Sequence, residues 1–390
     1  MNSGVDFGRP LRVALITSSY NFIADGVALT LNRLVGYLEK HGVEVLVFAP
    51  VAQQPAFAHQ GTLVPVPSLP LPGRPEYRLA LGMAGYLKRQ LLDFEPDIVH
   101  LAVPDLLGQA ALAVAQAHNI PAVASYHTRY ETYLRHYWYL APLAGWLKRT
   151  LRSFYGQCRE VYVPSDSVRD ALLADGLRDN FKPWPRGIDT ERFAPDKRSA
   201  AWRARHGIGA DELVVLHVSR LVREKRLDTL TKALQATTVP HRVVIVGDGP
   251  DRDYVQTELP QAVFTGFLDG DALATAYASS DIFVFPSDSE SFGNVTLEAM
   301  ASGLPCVCAD ATGSRSLVAA GETGFLAPAD DADGFARHIA TLAGDRTLRR
   351  RMGEAARVRA LGFSWEETLA RMLGYYRALL AGTRDLKTSP

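Results

Sequence analysis

Two glutamates, Glu290 and Glu298, bracket the segment with the most chemistry in it, DSESFGNVTLEAMASGLPCV at 288–307. Small polar residues come first and a glycine and a proline come last, so a helix is expected from Gly293 or Asn294 to Gly303, stopped by Pro305. Free N–H groups and the helix dipole at such a start favour an anion, and Gly293 lets a phosphate come close. Glu290 lies just before the helix and Glu298 about one turn inside it. Both carboxylates can then accept from the vicinal hydroxyls of a ribose or hexose. Two other readings stand beside this one: a hydrolytic acid/base pair, or a Glu298 that is only a helix surface residue.

A basic cluster, SRLVREKR at 219–226, follows an apolar run directly. Arg220 supplies a bidentate fork and Lys225 a point charge to one diphosphate, while Arg223 and Arg226 read as a solvated face. The turn Gly247-Asp248-Gly249-Pro250 has the form of a phosphate or nucleoside approach loop, a weak signal alone. In the first half, Gly26 in a strand-to-helix loop admits a ligand close to the backbone, with Asp25 beside it for sugar or acceptor hydroxyls. His127, in SYHTRYETYLRHYWY, follows a run that reads as a strand, a location that turns an otherwise ordinary histidine toward a ligand.

The elements that must hold these residues repeat a β-α-β alternation twice. Leu11 to Ser18, Val43 to Ala49, Asp97 to Leu101, Ala122 to Tyr126 and Val161 to Pro164 read as strands. Asp25 to His41, with Val27, Leu31, Leu34 and Leu38, reads as a helix. Val51 to Pro75 is proline-rich and without period, which predicts a long surface excursion rather than a core element. Arg186 to Ser199 reads as a linker. Five further strands follow, at Leu213 to Ser219, Arg242 to Val246, Ala262 to Thr265, Ile282 to Pro286 and Pro305 to Ala309. Ser364 and Glu367 have capping-box spacing at the head of a last helix running to Leu380, placed to pack back on the first domain.

With 390 residues the chain is long enough for two cores. Forty-two basic residues balance forty-two acidic ones, which leaves no global field for nucleic acid or an anionic membrane. No run approaches the roughly 20 apolar residues of a membrane span, so a cytoplasmic or peripheral protein is expected. Three cysteines suit neither a disulfide framework nor a zinc site. Cys306 and Cys308 read as small hydrophobes on one strand face.

Gly26, His127, Arg220 with Lys225, and Glu290-x7-Glu298 before GLP, in that order, resemble the family 4 glycosyltransferases over nearly the whole chain. The resemblance implies an α/β GT-B fold: two Rossmann-like domains facing across a deep cleft, the first over 1–195, the second over 196–363, and a returning helix at 364–390. It implies a retaining transfer from a nucleotide-sugar with no metal and no cofactor. On it, Arg220 and Lys225 hold the diphosphate, Glu298 the ribose and Glu290 the transferred sugar. Gly26 admits the diphosphate, Gly247 lies on the donor side, and the amides of Phe292, Gly293, Asn294 and Val295 support donor sugar and phosphates. His127 lies beside the C6 side of the sugar, and Asp25, Tyr126 and Arg129 fall on the acceptor side. Asp25-Gly26 stands where a double glycine is usual, and Arg186-Gly187-Ile188-Asp189 where an asparagine-glycine motif is commoner. Both departures are similar to a branch with GDP-mannose-dependent α-mannosyltransferases and sulfoquinovosyl-diacylglycerol synthases. That branch implies a lipid or glycolipid acceptor and a GDP-mannose or UDP-sugar donor.

Leu143 to Val161 interleaves aromatic and aliphatic residues with Lys148, Arg149, Arg152 and Arg159, which suits either a basic helix on an anionic membrane at the inner face of the cell or a helix packed on the sheet. A nucleotide-sugar epimerase and a non-catalytic sugar-nucleotide binder are the competing functions.

Overall fold

A computed structural model describes residues 9–23, 25–71, 74–126, 144–290 and 292–388. The chain divides into two compact units, Met1–Pro164 with Arg169–Trp184 and Leu369–Pro390, and Ser165–Val168 with Pro185–Thr368.

The first unit is built on seven parallel strands: β1 (Leu11–Ile16), β2 (Val43–Ala49), β3 (Thr62–Pro65), β6 (Ile98–Leu101), β7 (Ala122–Ser125), β8 (Glu160–Val163) and β9 (Phe181–Pro183), in the order β3-β2-β1-β6-β7-β8-β9. The central strands are buried on both faces, as a sheet covered by helices on each side requires. A separate antiparallel pair, β4 (Ser68–Leu71) and β5 (Arg74–Ala80), lies between β3 and the next helix. The proline-rich stretch is therefore only partly an excursion. Thr62–Pro65 joins the main sheet as its edge, where a proline costs no ladder bond, and Leu46 to Ala49 pair with it residue by residue.

The second unit has six parallel strands: β10 (Val214–Val218), β11 (Arg242–Val246), β12 (Val263–Gly266), β13 (Ile282–Phe285), β14 (Cys306–Ala309) and β15 (Gly324–Ala327), in the order β12-β11-β10-β13-β14-β15. Side chains alternate between two cores. Val214, Leu216, Val218, Cys306 and Cys308 enter one, and Val215, Val307 and Ala309 the other. The two cysteines are thus packing residues on one face, and burial pushes the Cys306 thiol well up.

The last helix, Trp365–Thr388, begins with the Ser364 hydroxyl accepting from the Glu367 amide at 3.2 Å. In the first unit, the Tyr376 hydroxyl lies 2.5 Å from His100 Nδ1 on β6, and the other ring nitrogen lies 3.0 Å from Ser125 Oγ at the end of β7. Tyr375 stacks on Tyr162 at 5.5 Å. No helix among the described residues is long and apolar enough to cross a membrane.

Candidate functional site

In both sheets the order reverses direction beside the first strand, between β1 and β6 and between β10 and β13. Loops leaving the carboxyl ends of the strands on either side of such a point diverge and leave room for a ligand. In the second unit those loops carry Ser219 to Lys225 after β10 and Ser287 to Glu290 after β13.

Chain geometry makes the loops after β10 and β11 one rigid piece. The Ser219 amide donates to Val246 O at 3.1 Å, and the Leu221 amide to Asp248 O at 2.9 Å. Gly247 has φ of +126°, and a Cβ there would sit 1.8 Å from the Ser219 carbonyl, so only glycine permits this approach. Beneath the β10 loop, buried His217 has Nδ1 3.0 Å from Val284 O and Nε2 2.8 Å from Ser219 Oγ. The carbonyl needs a donor, which fixes the proton on Nδ1 and makes Nε2 the acceptor of the serine hydroxyl. Burial lowers the His217 pKa to about 4, so the ring is neutral.

Lys225 ends a short 3-10 turn, Arg223–Lys225. Its Nζ lies 2.5 Å from Glu290 Oε1 and 3.4 Å from Ser289 Oγ, with the two side chains 16% and 28% exposed. The pair is sheltered yet reachable, the condition under which charge is effective on a ligand. Arg220 is exposed on the preceding turn. Arg226 departs from the sequence reading: it adopts a left-handed conformation, φ 55°, and pairs with Asp288 at 2.6 Å, so it ties the β10 loop to the β13 loop. Arg223, by contrast, is a solvated residue, its side chain 96% exposed.

Gly293, φ +93°, caps the Asn294–Ala301 helix in a conformation that suits glycine. Phe292 is buried against the Phe363 ring, Val295 is half-buried and Asn294 is exposed. One turn on, half-buried Glu298 accepts from the Tyr277 hydroxyl at 2.9 Å. Burial raises its pKa to about 7, against the lowering effect of the tyrosine bond. Behind Glu290, a Cβ on Gly313 would meet the Glu290 Cβ and carbonyl oxygen, each at 2.9 Å, so the Thr312–Leu317 helix backs the carboxylate closely. His217, Arg226, Asp288, Tyr277 and Gly313 were missed by sequence reasoning. Their roles come from contacts with residues distant along the chain, and only the glycine at a strand-to-helix turn carries a local signal.

In the first unit, Asp25 is the N-cap of the Gly26–Lys40 helix. Its Oδ1 accepts from the Val27 and Ala28 amides at 3.0 and 2.8 Å, and its Oδ2 from Ser19 at 3.0 Å. Gly26 opens that helix, exposed, with its carbonyl accepting from Thr30. Tyr126 is buried, its ring 5.5 Å from that of Tyr155, and so serves the core. His127 and Arg129 lie outside the described residues. On the Ala144–Gln157 helix, Leu151, Phe154 and Tyr155 are buried, Lys148 pairs with Asp175 at 2.8 Å, and Trp146 is 59% exposed. Among the described residues no group of three or more His, Cys, Asp and Glu side chains is arranged to hold a metal.

Residues 24–192 match the Glycosyltransferase Family 4 model and residues 198–359 the model for Glycosyl transferases group 1. A GDP-mannose-dependent alpha-mannosyltransferase of Mycolicibacterium smegmatis is 37% identical over 394 residues, covering 97% of this chain and 100% of its own. The sulfoquinovosyl transferase of Arabidopsis thaliana is 33% identical over 93% of this chain and 73% of its own. An alpha-monoglucosyldiacylglycerol synthase of Acholeplasma laidlawii is 26% identical over 76% of this chain and 80% of its own. Among solved structures, the sucrose-phosphate synthase of Thermosynechococcus elongatus superposes with a TM-score of 0.74, 24% identity and coverage of 95% of this chain and 100% of that one. The fold is GT-B, and the chain belongs to the family 4 glycosyltransferases, enzymes that transfer hexosyl groups from nucleotide-sugars.

Proposed function

We propose that the chain is a retaining, metal-independent transferase that moves a mannosyl group from GDP-mannose to a hydroxyl of a lipid or glycolipid. The observation that carries it is the Lys225–Glu290 pair beside Arg220 and the glycine-started helix, all at the carboxyl ends of β10 and β13. Glycosyl transfer leaves positive charge on the ring and negative charge on the departing diphosphate. Arg220 and Lys225 meet the second, Glu290 holds the hexose, and Glu298 accepts from ribose hydroxyls. The anomeric carbon loses its bond to the phosphate oxygen and gains one to the acceptor oxygen on the same face, while the acceptor proton passes to a donor phosphate oxygen. Residues 1–195, in which buried Tyr126 serves the core, supply the acceptor side with Asp25 and Arg129, while Gly26 admits the diphosphate and His127 meets the C6 side of the sugar; 196–363 form the donor side and 364–390 the returning helix. Peripheral residence on an anionic membrane is part of this reading, and the exposed Trp146 is its candidate contact on the 144–157 helix.

Mannose and GDP are favoured by the mannosyltransferase similar over its full length. A UDP-sugar-dependent glycolipid synthase is the second reading, favoured by the similarity to the sulfoquinovosyl transferase and the monoglucosyldiacylglycerol synthase. Mass spectrometry of products from GDP- and UDP-sugars offered with diacylglycerol, glucuronosyl-diacylglycerol and ceramide separates them. Mannosyl product from GDP-mannose alone, with an α-anomeric NMR signal and no loss in EDTA, is the expected result. Product only from a UDP-sugar gives the second reading, and an inverted product removes the retaining mechanism.

A further inference from the structure

The Arg346–Leu361 helix of the second unit carries arginines at 346, 349 and 350, a spacing that sets them on one face. With Arg198, Asp281 and Ser302 they line an open pocket of about 240 Å³. Asp281 precedes β13 and Pro305, also in the lining, precedes β14. The pocket therefore sits at the amino ends of the strands, whereas Arg220, Lys225 and Glu290 sit at the carboxyl ends.

The charges there do not cancel. Asp281 is committed to Arg198 at 3.1 Å, to Arg203 at 3.5 Å and to the Val214 amide at 2.8 Å. Arg350 pairs with Glu354 at 2.8 Å. Among the described residues, neither Arg346 nor Arg349 has a carboxylate within ion-pair distance. Arg349 donates to the Leu342 and Ala343 carbonyls at 2.7 and 3.2 Å; burial lowers its pKa first, Asp281 and Asp345 attract it from beyond ion-pair distance, and Arg346 repels it. Ser302 is 3% exposed, and its hydroxyl has no hydrogen-bond partner, an uncommon state for a buried polar atom. Two guanidinium groups with no carboxylate in ion-pair contact, one of them partly engaged by backbone carbonyls, and a spare hydroxyl beside one cavity leave N–H and O–H donors to spare. Guanidinium forks match the oxygens of a phosphate, and charge-assisted bonds there are roughly twice as strong as neutral ones.

We propose that this pocket is a second anion site, for a phosphate group, separate from the nucleotide-sugar site. The phosphate can come from a free phosphorylated molecule or from a lipid headgroup, and the same arginines recognise both.

Calorimetric titration of the full chain with inorganic phosphate at low chloride tests it, with Arg346→Glu, Arg346→Gln/Arg349→Gln and Arg220→Ala/Lys225→Ala as variants. Circular dichroism checks that each folds; Arg346 is exposed, so Arg346→Glu remains informative if the double variant does not fold. The expected result is two phosphate-binding events: one weakened about tenfold or more by Arg346→Glu with transferase activity kept, the other removed only by Arg220→Ala/Lys225→Ala. Co-sedimentation with phosphatidic acid vesicles, against phosphatidylcholine vesicles, supplies the other arm. Vesicle binding that Arg346→Glu abolishes, without free phosphate binding, assigns the lipid headgroup. Phosphate isotherms and vesicle binding that Arg346→Glu leaves unchanged overturn the proposal.

Discussion

Lys225 and Glu290 neutralise one another at 2.5 Å, so the cation proposed to meet the leaving group is held in place before any ligand arrives. Lys225→Ala removes that cation and leaves Glu290 half-buried without its partner. Steady-state kinetics should show kcat down by roughly 10²–10³, on the order of 3–4 kcal/mol of barrier, with the circular dichroism spectrum kept. A kcat within threefold of wild type would remove the role. Glu298 is a different kind of acid. Its pKa, raised to about 7, means the folded chain holds a proton that the unfolded chain gives up near 4.5, so this group costs stability as pH rises through that interval. Glu298→Gln should therefore raise the free energy of unfolding at pH 8 by on the order of 1–2 kcal/mol, seen as a higher thermal midpoint, and hardly at all at pH 4.5. Because a carboxylate accepts ribose hydroxyls better than a carboxylic acid, wild-type KM for the donor should fall as pH rises through about 7, and the Gln variant should show no such fall. Strand-end position was enough to place Arg220 and Lys225 on the segment after β10 and the acid pair on the segment after β13. The role of Arg226 was not legible: its partner Asp288 is 62 residues away, and no local pattern marks a pair that only the strand crossover brings together.

Among the elements, legibility followed burial. Strands β1, β2, β6, β7, β8, β10, β11, β13 and β14 read as apolar runs because helices cover both faces. Edge strand β12, four half-buried residues, was legible all the same as Ala262 to Thr265, whereas β3, β9 and β15 escaped notice, and β3 and β9 end in Pro65 and Pro183. The loops they flank obey a sharper rule. Gly247 is wedged against the Ser219 carbonyl, so Gly247→Ala must push apart the ends of β10 and β11 and with them the Arg220 turn. Its measured signature should be a donor KM raised tenfold or more and a stability loss of about 1–3 kcal/mol in urea. Alanine at Gly42, where nothing lies within 4 Å of a Cβ but φ is +78°, pays only the backbone strain and should leave KM alone. Equal effects on KM at the two positions would mean the β10–β11 junction does not shape the donor site.

For the whole molecule, each sheet buries one histidine in its middle, His100 in the first and His217 in the second, with pKa values lowered by burial to about 3 and about 4. Unfolded histidine takes a proton near 6.5, so below that pH the unfolded chain binds two protons that the folded chain refuses. Stability is complete above 6.5 and falls on acidification, by roughly 2–3 kcal/mol per pH unit from these two groups until about pH 4. Urea titrations between pH 4.5 and 6.5 in a Glu298→Gln background, which removes the opposing slope of that carboxyl, should show this dependence, and His100→Gln with His217→Gln should flatten it. A slope unchanged by both substitutions would assign the acid sensitivity to the carboxylates.

His100 has one further property. Its ring bridges the Tyr376 phenol of the last helix and the Ser125 hydroxyl, with all three side chains shut away from solvent. Water cannot reach the protons on that bridge, so they should leave it only when the helix detaches. In a proton NMR spectrum they should stand far downfield and persist through deuterium exchange, and Tyr376→Phe should erase the resonance that arises from the phenol. The C-terminal helix would thus carry its own resident reporter, whose exchange lifetime measures how often the final turns of the chain come undone.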